Sequence, residues 1–250
     1  MSSSASSRAG STASNPPVED DGPSRVYNIT NRLFRRNYNI NSADDQPLFY
    51  GEVSIFTPNK PDIILHAGTS SHAPIVAVSK FLKSSGNYKI GIGNPDDVIG
   101  VQWEDMTKEL IHKPKYRFEM TIQCGSDQTQ SGRRSFLWKR TRTVGVENSA
   151  PSKWTGRNYK LMDEHTEQIL AVFSANRLST GGRLQIRVEY GEDFDRMVLV
   201  SCLSEAAQAE FKWWWRRLKQ ASFKLYQCMI HKYDNIHEFE CALRQLRAYR

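Results

Sequence analysis

The stretch DFDRMVLVSCLSEAAQAEF, Asp193 to Phe211, decides the fold. It follows Gly191 and opens on carboxylates: Asp193 or Asp195 is placed to cap the first free amides of a helix, and Glu192 adds negative charge at the positive helix end. The body MVLVSCL is apolar on every face rather than along one stripe, and a helix of that kind has to be enclosed. Phe194 to Glu210 makes about 17 residues, roughly 25 Å of helix, against the roughly 20 apolar residues a bilayer requires, so we read a protein core and not a membrane span. Ser201 and Ser204 fit inside it, because a helical hydroxyl can bond the carbonyl four residues back.

The enclosure has to come from strands. From Arg25 onward, short segments rich in Val, Ile, Tyr and Phe recur between Gly, Pro, Asn and Asp clusters, the pattern of an all-β chain. About twelve strands are expected. The first six are Val26 to Asn31, Arg36 to Ile40, Leu48 to Phe56, Asp62 to His66, Pro74 to Phe81 and Tyr88 to Ile92. The rest are Ile99 to Trp103, Tyr116 to Ile122, Arg134 to Arg140, Asn158 to Met162, Ile169 to Ser174 and Leu184 to Tyr190. Several alternate, as in RVEY, where Val188 and Tyr190 point opposite to Arg187 and Glu189, so one face is buried and one wet. A sandwich would leave the apolar helix outside, whereas a barrel closed around it uses the whole helix surface and removes exposed strand edges. Burying Phe194, Met197, Val198, Leu199, Val200 and Leu203 contributes on the order of 10 to 15 kcal/mol as an upper figure, comparable with a domain's net stability.

Three runs carry a family resemblance: SFLWKRTR (Ser135 to Arg142), NYKLMDEHTEQILAVFS (Asn158 to Ser174) and LQIRVEYGEDFDRMVLVSCLSEAA (Leu184 to Ala207). Together they resemble the tubby C-terminal-like superfamily of tubby, LURP-one-related and scramblase-like proteins, most of all a fungal branch of it. The resemblance implies a twelve-stranded barrel threaded by a C-terminal apolar helix, over about Arg25 to Phe211. It also implies a lipid connection, since understood members bind membrane phosphoinositides or act on phospholipids, and tubby is linked to transcription. No ligand-contacting motif carries over with it.

Beyond Phe211 the chain departs from that pattern. Nothing from Glu192 to Arg250 is Gly or Pro. Phe211, Trp215, Leu218, Ser222, Leu225, Met229, Lys232, Ile236, Phe239, Leu243 and Leu246 keep alternating spacings of four and three, and nine of these eleven are apolar. That is the seam of a coiled coil or of a helix lying on an apolar surface. Asn235 and Glu238 form a capping-box pair that could start a second helix instead. The organisation expected is therefore a disordered tail over 1–24, a barrel with central helix over 25–211, and a basic helical extension over 212–250.

Charge supports this division. Of the formal net charge of +7, Phe211 to Arg250 holds +6, from nine Lys or Arg against Asp234, Glu238 and Glu240, which leaves +1 for the rest. A near-neutral barrel argues against nucleic acid. Met1 to Ser24 has no apolar run, so it reads as neither signal peptide nor anchor, and Ser2 excludes myristoylation. Cys124, Cys202, Cys228 and Cys241 show no CxxC spacing and read as free thiols of a reducing compartment, the cytoplasm.

Two segments are candidates for binding. RRSFLWKRTR interleaves basic and aromatic residues on a predicted strand, where Arg134, Phe136, Trp138 and Arg140 share one face and Arg133, Ser135, Leu137, Lys139 and Thr141 the other. Arg133, Arg134, Lys139, Arg140 and Arg142 could form a cationic strip for phosphate headgroups, or the segment is a plain amphipathic strand with snorkelling charges. Trp213, Trp214 and Trp215 step about 100° each around a helix, so at least one faces out or plugs the barrel mouth. With Arg216, Arg217 and Lys219 they make a membrane- or partner-contact candidate.

Catalytic and metal signals are weak. GIGNPDDVIG lacks the dinucleotide fingerprint and reads as a turn, and DEHTEQ (Asp163 to Gln168) reads as a polar hairpin turn around His165. Cys228 with His231 and His237 with Cys241 each share a helix face, but one metal would need a bend near Asn235, so no zinc site is assigned. The expectation is a non-enzymatic barrel without cofactor or metal, cytoplasmic or peripheral at membranes, that docks on acidic phospholipids or phosphoinositides. One alternative is a soluble scaffold that binds a partner, or itself weakly, through 211–246. Another is scramblase-related lipid handling, for which no terminal membrane span is read.

Truncation after Glu210 separates these functions. A coiled-coil seam predicts that the cut turns a concentration-dependent dimer into a monomer, while a membrane element predicts unchanged mass and lost liposome binding. We expect mainly the second, because the Trp-Arg cluster and Lys232 interrupt the seam. Light scattering and liposome flotation on both chains decide it, and a cut chain that keeps mass and affinity rules out both roles.

Overall fold

A computed structural model of the chain describes residues 24–31, 37–55, 57, 60–82, 85–109, 115–123, 131–149, 151, 157–176 and 181–208. Outside the described residues lie the tail over 1–23, Cys124, the end of the predicted helix and everything from 209 onward. That last part includes Trp213 to Trp215 with Arg216, Arg217 and Lys219, the apolar seam, and Cys228, His231, His237 and Cys241.

Twelve antiparallel strands run in sequence order: β1 (Arg25–Asn31), β2 (Tyr38–Ser42), β3 (Pro47–Val53), β4 (Ile63–Ala67), β5 (Ile75–Leu82), β6 (Asn87–Ile92), β7 (Gln102–Glu109), β8 (Lys115–Gln123), β9 (Ser131–Arg140), β10 (Tyr159–Asp163), β11 (Ile169–Ala175) and β12 (Gly182–Ile186). Each pairs with its neighbours in the chain, and β12 returns to β1 through Tyr27↔Leu184, closing the barrel. Period-2 patterning drives the strands. On β8, Tyr116, Phe118, Met120 and Ile122 are buried while Glu119 and Thr121 between them are exposed.

The helix α1 occupies residues 192–208. From Met197 to Gln208 every residue is buried, and Met197, Val198, Leu199 and Val200 are 0% exposed. Contacts to it come from all around the sheet. Leu203 Cδ1 lies where a β-carbon on Gly51 of β3 would come within 3.1 Å, so this strand needs glycine to approach the helix. Phe136 of β9 packs on Phe194 with ring centroids 5.4 Å apart. Trp138 Nε1 donates to Ser201 Oγ at 3.0 Å, and Tyr88 of β6 donates to Glu205 Oε1 at 3.2 Å. The barrel is closed around an apolar helix, as MVLVSCL requires.

The two helix serines are satisfied within the core. Ser204 Oγ donates to Val200 O at 2.7 Å, the expected bond four residues back, while Ser201 donates to Val198 O at 3.1 Å and accepts from Trp138. The predicted carboxylate caps are not the ones used. Gly191, at φ 90°, offers its carbonyl to Asp195 N, and the Asp195 carboxylate instead accepts from Arg25 Nε at 2.7 Å and Tyr27 OH at 3.1 Å. Asp193 accepts from Arg196 at 2.8 Å.

Two predicted strands are corrected. Ile99 stands in a loop, and β7 begins at Gln102 and runs on to Glu109, because Asp97 Oδ1 accepts from the amides of Ile99 and Gly100 and folds the preceding segment back on itself. RVEY is not strand: β12 stops at Ile186, and Val188 and Tyr190 keep their inward side by packing on the core at the start of α1, Tyr190 lying 5.1 Å from Phe194 ring to ring. Some stretches are buried on both faces, among them β4 from Ile63 to His66. Val172 of β11 and Gln185 of β12 point outward, yet both are covered, with Glu147 N donating to Gln185 Oε1 at 2.9 Å from the short 3-10 turn Val146–Asn148. Among the described residues, no helix is long and apolar enough to cross a membrane.

Leu199→Asp is expected to abolish folding, since an unpaired carboxylate in this interior costs several kcal/mol, on the scale of a domain's whole stability. Val198→Ala leaves only a small cavity and is expected to fold with about 1 to 3 kcal/mol less stability. Soluble yield and thermal melts check both, and a Leu199→Asp chain that melts like the wild type would remove the helix from the centre of the fold.

Candidate functional site

The structure divides the basic run on β9 between faces and ends. Alternation turns Phe136 and Trp138 inward, at 0% and 2% exposure. Arg133 lies outside, where its guanidinium takes Glu104 Oε2 at 2.7 Å and Glu119 Oε2 at 3.0 Å. These bonds to Glu104 first and Glu119 second hold its pKa above the ordinary arginine value. The β7–β8 ladder is short, Thr107↔Arg117 to Glu109↔Lys115, so Arg133 reaches from β9 across β8 and ties β7 to the wall. Arg134 sits over the Tyr190 ring at 5.5 Å and 3.6 Å from Asp163, at the end of the barrel where α1 starts, here called the amino rim.

The other three basic residues lie at the opposite end, the carboxyl rim, around Gln208. Arg140 is exposed at the end of β9, its guanidinium 6.0 Å from the Tyr159 ring centroid, and Arg142 is exposed just beyond it. Lys139 points outward directly opposite Lys160 of β10. The candidate strip is thus two groups: Arg133 and Arg134, each beside carboxylates, and Lys139, Arg140 and Arg142 near the point where the chain leaves the barrel.

Inside the carboxyl rim the last turns of α1 present Glu205 and Gln208 to tyrosines. Tyr116 OH is 3.5 Å from Gln208 Oε1, and the Tyr88 and Tyr116 rings lie 5.5 Å apart. Burial, and then the charge of Glu205, raises the pKa of Tyr88, Tyr116 and Tyr159. These phenols stay neutral around Glu205, with Tyr88 donating to it and Tyr116 to Gln208. Burial likewise raises the Cys202 thiol, which keeps it an unreactive part of the core.

Two polar clusters lie elsewhere. On β3 and β4, Lys60 Nζ is 2.6 Å from Glu52 Oε1, Ser54 Oγ donates to the same oxygen at 3.3 Å, and His66 Nε2 is 3.6 Å from Oε2. Burial pushes the Glu52 carboxyl up, but Lys60, Ser54 and His66 together outweigh it and hold the pKa below its ordinary value. DEHTEQ is the polar turn expected: Asp163 Oδ1 accepts from the amides of His165 and Thr166, and Glu164 takes Ser135 Oγ at 2.7 Å. Among the described residues, no group of three or more His, Cys, Asp or Glu is placed to hold a metal ion.

The sequence reading missed the acids that face Arg133, and Lys160 opposite Lys139. Glu119 and Glu104 are 14 and 29 residues from Arg133, so only the register brings them together.

No known family profile matches the chain, and no curated protein does. Among solved structures it is similar to the X-ray structure of a protein from Arabidopsis thaliana, with 9% identity and a TM-score of 0.42 over 74% of this chain and 91% of that one.

The Glu52 cluster gives a pH test. A carboxylate with a depressed folded-state pKa contributes stability that is complete above its unfolded value of about 4.3 and is lost as pH falls through the folded one. The melting-temperature gap between wild type and Glu52→Gln is therefore expected to be full at neutral pH and to close in acid. A gap that ignores pH would show that the charge of Glu52 contributes nothing.

Proposed function

We propose that the protein is a non-enzymatic barrel that docks on acidic phospholipid surfaces through its carboxyl rim. The observation that carries this reading is the separation of charge along the barrel axis. At the amino rim Asp44, Asp45, Asp96 and Glu167 are exposed, while Glu189 and Glu192 there are paired with Arg25 and Arg196. An anionic bilayer repels that end. At the carboxyl rim stand Lys108, Lys115, Lys139, Arg140, Arg142 and Lys160, and the described carboxylates at this end are paired, Glu109 with Arg117 at 2.7 Å, Glu52 with Lys60 and Glu147 with Arg183.

The tail continues from this same rim. In the sequence Trp213 follows Gln208, whose side chain meets Tyr116 at this rim, by five residues. Aromatic and cationic residues together are the composition of an interfacial contact. The resemblance to tubby-like proteins supports the same reading, since understood members of that superfamily bind phosphoinositides or act on phospholipids.

Flotation of the full chain tests it with vesicles of phosphatidylcholine alone, with added phosphatidylserine, and with added phosphoinositide. The chain is expected to float with the two acidic mixtures only, and less well at 1 M salt, where screening acts within about 3 Å. Arg140→Gln/Arg142→Gln is expected to weaken flotation by roughly tenfold or more, as each basic side chain near the surface contributes about 1 kcal/mol. A chain that stays unfloated with all three mixtures is not a lipid-docking protein.

A further inference from the structure

Outward side chains on neighbouring strands line up in rows across a sheet, and one row near the carboxyl rim holds three lysines. Lys139 of β9 stands opposite Lys160 of β10. Lys115 of β8 comes one residue before Tyr116, and Lys139 one residue after its partner Trp138, so the antiparallel register sets Lys115 beside Lys139. With strands about 4.8 Å apart, the row spans roughly 10 Å. Among the described residues none of the three has a hydrogen-bond or ion-pair partner, in contrast to Lys60 on Glu52 and Lys89 on Asp105.

The neighbours of the row do not neutralise it. On the β7 side Lys115 faces Glu109, whose carboxylate is held by Arg117. On the other side Lys160 faces Val172 of β11, and the row continues to Gln185 of β12. Like charges placed directly opposite destabilise a sheet, so the arrangement costs stability without an anion. A second lysine pair, Lys80↔Lys89 on β5 and β6, also runs on to an acid, Asp105, but there the acid pairs with the row's own lysine, 3.8 Å from Lys89, whereas Glu109 pairs with Arg117.

We propose that Lys115, Lys139 and Lys160 form the part of the barrel wall that lies on an acidic bilayer, with lipid phosphate and carboxylate groups as their counter-charges. This rests on the membrane reading above and adds which wall faces the lipid. The row belongs to the level where the chain leaves the barrel. Tyr116 and Trp138, next to Lys115 and Lys139 in the chain, bond Gln208 and Ser201 of α1. In the sequence Trp213 to Trp215 come shortly after Gln208, and that aromatic composition favours a headgroup layer over a nucleic acid as the occupant.

The test uses the full chain, with Lys139→Gln/Lys160→Gln against Lys80→Gln/Lys89→Gln, a control that removes the same charge from the same kind of opposed pair. Flotation is measured with vesicles of phosphatidylcholine and phosphatidylserine, and binding to a single-stranded oligonucleotide is measured in parallel. The row variant is expected to lose about fivefold in vesicle affinity per lysine, about twenty-five-fold for the pair, while the control stays near wild type. Its melting temperature is expected to match or exceed the wild type's, because repulsion across β9 and β10 is relieved.

Equal losses in the two variants would reduce the effect to net charge and overturn the row. A row variant that floats as well as a floating wild type overturns it too, and leaves the membrane reading standing. A wild type that fails to float removes both. Row-dependent binding of the oligonucleotide without flotation overturns the bilayer in favour of nucleic acid, and a row variant that melts well below wild type marks the lysines as structural.

Discussion

A helix with no wet face sets the terms for the rest of this molecule. Each polar atom that α1 carries into the barrel must find its partner in the wall, because an unsatisfied buried group costs about 1 to 3 kcal/mol. The wall answers at matching heights: Trp138 donates to Ser201, Tyr88 to Glu205, and Tyr116 to Gln208. At the other end Arg25 binds Asp195 through two nitrogens and the Val188 carbonyl at 2.7 Å, which ties the first strand to the start of α1. The pairing of β1 with β12 and this clasp join residues about 160 to 170 positions apart, so closing the barrel and seating the helix are one non-local event.

This constraint was legible in the sequence because MVLVSCL admits no amphipathic alternative, and strands such as β8 and β9 alternate without ambiguity. The misreadings occur where apolar residues have reasons other than a strand. Val98 and Ile99 resemble the start of β7, yet they are 85% and 97% exposed on a loop held by the Asp97 carboxylate. Val188 and Tyr190 alternate because they pack against the first turns of α1, and packing there imposes the same inward and outward rhythm as a sheet. The burial of Val172 and Gln185 left no local mark, since their cover comes from a turn 26 to 38 residues earlier in the chain.

The candidate site was legible only as a composition. RRSFLWKRTR announces positive charge and an inward aromatic pair, and both are present. Whether a given arginine keeps its charge available depends on what stands across the ladder, and that is a matter of register. Arg133 meets two carboxylates of β7 and β8, while Lys139, six residues further on, meets another lysine. A single strand cannot tell these cases apart, because register is a relation between strands and one step would send each side chain to the other face.

The period of two also separates stability from surface charge. Trp138 points into the barrel and holds the helix, while Lys139, its neighbour in the chain, points out and has no hydrogen-bond or ion-pair partner among the described residues. Stability therefore comes from the inward set around α1, and the outward set is free to carry charge that the fold itself does not require. That freedom is unequal around the wall. Where Arg133 bridges the short β7–β8 ladder, charge is part of closure, and where β11 and β12 are covered by the turn near Val146, outward positions have joined the core. Between these two regions lies the carboxyl-rim wall of β8, β9 and β10, where the outward side chains answer to solvent and to whatever approaches from it.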